Sequence, residues 1–316
     1  MKIKELTQQQ ICTIPLVVIS ATVRETKTKK SYLAMEFFDG ESNINGNFWD
    51  WSGKSIPEKH AILDVTAQVT EWQGNAQLNI RGLKNNTDLA LSDFAPSSGH
   101  DIEAIYDEAL HYIDEYISDP FLQKLCKAIY DELKEYWMVT PSAVSVHHAY
   151  LAGNLIHSVS VAKIAGPIAV ATDADLSLVL AGALLHDLGK LFGYRLNMVN
   201  SELTDEGLLY EHSFIGANFV SNFSTQLVST PYDEAKIEML VHIILSHHGK
   251  QEYGATVTPG SIEALIVSAA DGIDASIEQV HTASNKVHKA KWTERIYTLG
   301  NRPFLTTEYV QQIMSK

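Results

Sequence analysis

Cysteine is nearly absent: Cys12 and Cys126 are the only two in 316 residues. Two cysteines build no disulfide framework and no cysteine-based zinc site, which suits a cytoplasmic protein. Long apolar runs are lacking as well. No uninterrupted apolar stretch reaches the length of a membrane span, and the start MKIKELTQQQ has no signal-peptide core, so no membrane partner is expected. Positive charge is in deficit, with 24 Lys and Arg against 38 Asp and Glu, a net −14. Residues 1–90 carry ten of each sign, which leaves 14 basic and 28 acidic side chains for the other 226 residues. That balance argues against a broad nucleic-acid footprint in the C-terminal part. It leaves room for a local basic groove, or for cations that bring their own positive charge.

Length and a 45% apolar composition allow two domains with sizeable cores. Residues 11–83 read as strands: ICTIPLVVISATV, YLAMEFFDG, NINGNFWDW and HAILDVTAQVTEWQGNAQLNIRGL. Turn signals fall at RETKTKKS, Asn45-Gly46 and Gln73-Gly74-Asn75. Several short strands in so few residues suggest a small closed barrel, most commonly an OB-fold. Residues 84–100 are turn-rich and read as a linker. From Asp101 the apolar spacing becomes helical, and DIEAIYDEALHYIDEYI and FLQKLCKAIYDELKEYW read as a helical support. Further helices are expected over roughly 145–165, 176–191, 211–224, 233–247 and 261–280.

The stretch ALLHDLGKLFGY, residues 183–194, carries the chemistry. A helix apolar all round, LSLVLAGALL, runs straight into His186 and Asp187, and Asp187 continues its apolar face. A carboxylate in such a place is costly unless it is paired or binds a metal. His157, His212, His247, His248 and Asp271 likewise sit on or at the ends of apolar helices. Singly, each has a plain structural explanation as a hydrogen-bonded core residue, a cap or an ion pair. Together they are a set of hard-to-borderline ligands that separate helices can aim at one point.

His157, then His186-Asp187, then Asp271, resembles the HD-domain superfamily of metal-dependent phosphohydrolases. The added His212 and His247, with His248 as the alternative to His247, match members that hold a second metal, where Asp187 would bridge both ions. Lys190 fits the HDxxK pattern, which implies a hold on a phosphate oxygen. On its own, a lysine there would merely complement a helix C-terminus. Within the superfamily the chain resembles the YhaM-type 3′–5′ exoribonucleases, on HHAYLAGNLIHSVSVAK, ALLHDLGK, EHSFIGA, SHHGKQEYG and AADGIDA.

The resemblance implies a multidomain α and β chain, an N-terminal OB-fold β-barrel followed by an all-α HD-domain helical bundle. Its divisions would be 1–90 for the barrel, 91–145 for linker and helical support, 146–290 for the HD domain and 291–316 for a C-terminal extension. It implies a cytoplasmic enzyme that hydrolyses single-stranded RNA, and in some measure single-stranded DNA, to nucleoside 5′-monophosphates. Asp187, Lys190 and His186 would be catalytic. His157, His186, Asp187, His212, His247 and Asp271 would hold one or two divalent cations, Mn²⁺ first, with Mg²⁺, Co²⁺ or Fe²⁺ as alternatives. His148 and His248 would line the site.

The barrel would grip the strand through Arg24, Lys27, Lys29, Lys30 and Trp49, stacking bases beside a basic track. Of its aromatics Tyr32, Phe37, Phe48, Trp49 and Trp51, at most half can face solvent, by the two-residue strand period. Helices 101–137 and the tail IYTLGNRPFLTTEYVQQIMSK are candidate homo-oligomer contacts. Two other functions fit the same residues: hydrolysis of a small or cyclic nucleotide, and single-strand binding without catalysis.

Overall fold

The computed structural model describes the chain except residues 1, 41, 54, 73–74, 90, 95–98, 143–149, 198–199, 288–289 and 316, with backbone alone at 91–92, 196–197 and 200–201. Contacts divide it into two compact units: Met1–Ser97 with Asn197–Asn200, and Ser98–Leu196 with Ser201–Lys316.

The first unit is a closed OB-like barrel. Its strands are β1 (Ile11–Glu25), β2 (Ser31–Phe38), β3 (Asn43–Phe48), β4 (Ile62–Trp72) and β5 (Asn75–Asn85), in the order β1-β2-β3-β5-β4. All neighbours are antiparallel except β3 and β5, which run parallel. Closure needs one strand to serve two neighbours, and β1, fifteen residues long, pairs with β2 along one part and with β4 along another. A bulge between Val18 and Ser20 re-aims it. Every second residue of β4 is buried, so Leu63, Val65, Ala67 and Val69 line the interior with Leu16, Leu33, Phe37, Leu78 and Ile80.

One expected turn is a strand. Asn45-Gly46 lies inside β3, with Gly46 facing the core. A Cβ on Gly46 would meet Ile80 Cδ1 at 3.0 Å and Phe37 Cε2 at 3.1 Å. The glycine is therefore there for close packing of β3 on β5, rather than for a turn. The Gln73-Gly74 part of the other turn signal lies outside the described residues.

The second unit begins with α1 (Ile102–Tyr116), α2 (Pro120–Glu132) and the short α3 (Lys134–Trp137), followed by α4 (Gly153–Ala171), α5 (Leu176–Leu185) and α6 (Lys190–Gly193). A small hairpin of β6 (Tyr194–Asn197) and β7 (Asn200–Leu203) comes next, then α7 (Asp205–Tyr210), α8 (His212–Ser224), α9 (Pro231–Ser246), α10 (Ile262–Asn285) and, near the end, α11 (Thr307–Met314). Caps start the helices where the sequence offers them. Asp119 accepts from Phe121 N and Leu122 N ahead of Pro120, and Thr230 and Asp233 form a capping box around Pro231.

α5 is the axis of this unit. Ser177 through Leu185 are all buried, and α1, α2, α4, α9 and α10 pack around the helix. Tyr130 donates its hydroxyl to Leu184 O at 3.1 Å and stacks on Trp137, so α2 and α3 are pinned to α5. Gly153–Ala171 and Leu176–Gly193 prove long and apolar enough to cross a membrane, although no uninterrupted apolar run is. Most of each stretch is buried inside the unit, and a core helix enclosed on every side has the same composition. The helix expected over 176–191 is split: α5 stops at Leu185, residues 186–189 form a turn, and α6 resumes at Lys190.

Candidate metal centre

The turn after α5 carries His186 and Asp187, and it is held from two sides. Asn154 Nδ2, in the first turn of α4, donates to Asp187 O at 3.2 Å. On the other side Gly189 lies against the start of α8, where a Cβ would fall 1.9 Å from His212 O and 2.6 Å from Gly216 N. Only glycine allows this approach, and it brings His212 up to Asp187.

Two ligand groups result. His157, His186 and Asp271 form one, and His212, His247 and His248 the other, with the ligand atoms of each lying within 4.8 Å of one another. Asp187 stands between them and offers one oxygen to each. Its Oδ2 is 3.5 Å from His157 Nε2 and 3.4 Å from His186 Nε2. Its Oδ1 makes no well-formed hydrogen bond, and His212 Nε2 and His247 Nε2 stand 3.3 and 3.5 Å away. His157, His186, Asp187, His212 and His247 are buried, whereas Asp271 and His248, one in each group, are half-buried and mark the open side.

The imidazoles are aimed from behind. His186 Nδ1 donates to Ala183 O at 2.8 Å, His247 Nδ1 to Ile244 O at 2.6 Å and His248 Nδ1 to Tyr253 O at 2.8 Å. His157 Nδ1 faces Asp274 Oδ2 at 2.7 Å, and His212 Nδ1 faces Glu211 Oε1 at 2.8 Å. Every Nδ1 is thus engaged outward, and every Nε2 points inward. The Nε2 atoms crowd together: His157 to His186 at 3.2 Å, His212 to His247 at 3.4 Å and His212 to His248 at 3.0 Å. Lone pairs meeting at such distances need positive charge among them, and divalent cations with a liking for imidazole and carboxylate supply it. The buried Asp187 oxygen without a hydrogen bond asks for the same thing. The residues present therefore fit a pair of cations sharing Asp187.

In the metal-free chain, protons carry that charge. Burial opposes a charge on His157, but hydrogen bonds to Asp271 and Asp274 raise its pKa to about 9. Burial likewise opposes ionisation of Asp187, yet the Lys190 ammonium and the His186 ring hold its carboxyl well below the usual range. Asp271 is held low against burial by its hydrogen bond to His157. His247 behaves oppositely: burial drives it down to about 4, which keeps its imidazole neutral as a ligand must be. Lys190 is buried, with Nζ 2.7 Å from Asp187 Oδ2 and 5.9 Å from the centre of the Tyr194 ring.

Every expected ligand in the described residues thus converges on one place, together with Lys190. His148 lies outside the described residues. Arg24, Lys27, Lys29, Lys30 and Trp49 belong to the barrel unit. There Arg24 near the end of β1 and Lys27, Lys29 and Lys30 in the turn 26–30 are all exposed, Lys30 pairs with Asp50 at 3.1 Å, and Trp49 lies tilted against Tyr32 with ring centres 4.4 Å apart. Of the other aromatics, Phe37 is core, and Phe48 and Trp51 pack partly buried against it. Sequence reasoning assigned nothing to Glu211 and Asp274. Their only signals were adjacency to His212 and the one-turn spacing from Asp271.

The family model of the HD domain matches residues 154–276, which span α4 to α10. Three curated relatives, each named 3′-5′ exoribonuclease YhaM, align with nearly the whole chain. Those of Shouchella clausii and Bacillus subtilis are 29% identical over 299 and 295 residues, covering 92% of this chain and 91% and 92% of their own. That of Bacillus licheniformis is 28% identical over 297 residues, covering 92% of each chain. No solved structure matches the chain. The side chains that meet around Asp187 lie inside the residues matched by the HD model, and the chain resembles the YhaM exoribonucleases along most of its length, which together indicate a hydrolase that contains an HD domain.

Proposed function

We propose that the protein is a metal-dependent 3′–5′ exoribonuclease that removes nucleoside 5′-monophosphates from single-stranded RNA, with single-stranded DNA as a secondary substrate and Mn²⁺ as the working cation. The observation that carries the reading is Asp187, whose two oxygens face two separate groups of inward Nε2 atoms. Divalent cations supply Lewis acidity toward the phosphoryl oxygens and acidify a water for attack on phosphorus. Asp187, the five imidazoles and Asp271 would hold such cations.

Lys190, whose ammonium lies 2.7 Å from Asp187 Oδ2, would hold a non-bridging phosphate oxygen as a point charge. Attack by water forms a new P–O bond and breaks the bond to the 3′ oxygen of the preceding nucleotide, which takes up a proton. Tyr210 and Phe214, both about half exposed, flank His212 in sequence and offer flat faces to bases. The barrel's Trp49 and basic turn would contribute to holding the strand.

The test is a time course on 5′-labelled single-stranded RNA with Mn²⁺, run beside a panel of mono-, di- and cyclic nucleotides. A descending ladder with 5′-monophosphates as products supports the reading. Turnover of the panel with RNA left intact overturns it in favour of a small-nucleotide phosphohydrolase.

A further inference from the structure

The five imidazoles of the centre are not braced alike. Three donate Nδ1–H to neutral main-chain carbonyls. His212 leans on Glu211, whose side chain is 54% exposed and so is screened by water. His157 alone leans on a buried carboxylate, Asp274, which is 6% exposed. Asp274 follows Asp271 by three residues, one turn along α10, so both carboxylates face α4. Ser160, one turn along α4 from His157, donates its hydroxyl to Asp274 Oδ1. One Asp274 oxygen is thus tied to the ring and the other to Ser160. A carboxylate this deep is costly, and the ring it orients explains why it is there.

The charge count separates the two positions further. The group of His157, His186 and Asp271 has a carboxylate of its own, shares Asp187 and is backed by Asp274. The group of His212, His247 and His248 is three imidazoles with only the shared Asp187 inside it. A carboxylate behind an imidazole raises the basicity of the far nitrogen and fixes its tautomer. Carboxylate-rich positions favour hard cations such as Mn²⁺ and Mg²⁺, and imidazole-rich ones suit Zn²⁺, Fe²⁺ and Co²⁺.

We propose that Asp274, locked by Ser160, is a positioning residue for His157, and that it makes the centre unequal, with a tight Mn²⁺ position at His157, His186 and Asp271 and a labile position at the three imidazoles. The inference rests on the two-cation reading of the centre and is independent of RNA being the substrate.

The experiment is calorimetric titration of Mn²⁺ into the metal-free full-length protein at one pH. The wild type titrates in two steps, and Asp271→Asn removes or cripples the tighter one, which assigns it. Asp274→Asn weakens that same step by about 10–100-fold, the usual effect of losing such a partner, and leaves the weaker step where it was. Asp274→Glu restores part of the loss. The proposal is overturned by a folded Asp274→Asn protein that titrates like the wild type, or by one in which both steps weaken alike. If that variant does not fold, Ser160→Ala carries the comparison, since it loosens the carboxylate without removing it. It shows the same selective weakening in smaller measure, and a wild-type titration from it overturns the proposal. No RNA enters the titration, so a protein that failed to degrade RNA would leave this result standing.

Discussion

At the scale of single residues the centre is a problem in charge. Asp187, enclosed, and Asp271, half-buried, are negative, and the metal-free chain answers with the His157 proton and the Lys190 ammonium. A pH dependence follows. His157 has a folded pKa of about 9 against an ordinary 6.5. Its contribution to stability is therefore complete below pH 6.5 and is lost as pH rises through about 9, because above 6.5 the folded chain binds the proton that the unfolded chain has released. The metal-free protein should melt lower at pH 9.5 than at pH 6.5 by on the order of 5 °C. Asp274→Asn should shrink that fall, and a melting temperature that rose over the window would contradict the assignment. Part of this scale was legible in the sequence. An Asp or His that follows or continues an apolar helical face announces itself, as Asp187 and His247 do just past α5 and α9 and Asp271 does within α10. Asp274 and Glu211 do not, because a side chain that acts through another leaves no pattern beyond its spacing.

At the scale of elements, legibility followed periodicity. The two-residue alternation of β4 and the all-apolar run of α5 each dictate one structure, and both formed. Asn45-Gly46 carried a turn dipeptide yet lies in β3, because Gly46 answers to the packing of Ile80 and Phe37 on the barrel interior. The hairpin of β6 and β7 went unseen, since four-residue strands around polar residues give too few positions to show a period. The break in the helix at residues 186–189 went unseen as well, because the contact that requires it, Gly189 on His212 O, joins segments far apart in sequence. On the proposed reading the barrel also binds the strand. Trp49 is 40% exposed and lies on Tyr32 beside the basic turn. Trp49→Ala should weaken single-stranded RNA binding by roughly 1–3 kcal/mol, as expected for one lost stacking platform. Fluorescence anisotropy in the Asp187→Asn background, where cleavage does not intervene, measures it. Unchanged binding would remove Trp49 from the interface.

At the scale of the whole molecule, the proposed function asks a chain of net charge −14 to handle a polyanion. On that reading the neutral first 90 residues meet the strand, and the negative charges of the centre sit where cations would neutralise them. On the proposed reading, binding by the barrel and chemistry at Asp187 are separable properties of two compact units. One measurement tests this most directly: cleavage of single-stranded RNA, RNA affinity and bound metal, for the wild type and Asp187→Asn, after chelation and after Mn²⁺ is restored. The account predicts that chelated wild type is inert and recovers with Mn²⁺. It predicts that Asp187→Asn keeps RNA affinity while losing most bound metal and falling to background cleavage. Cleavage at the wild-type rate by Asp187→Asn, or by the chelated wild type, would contradict it.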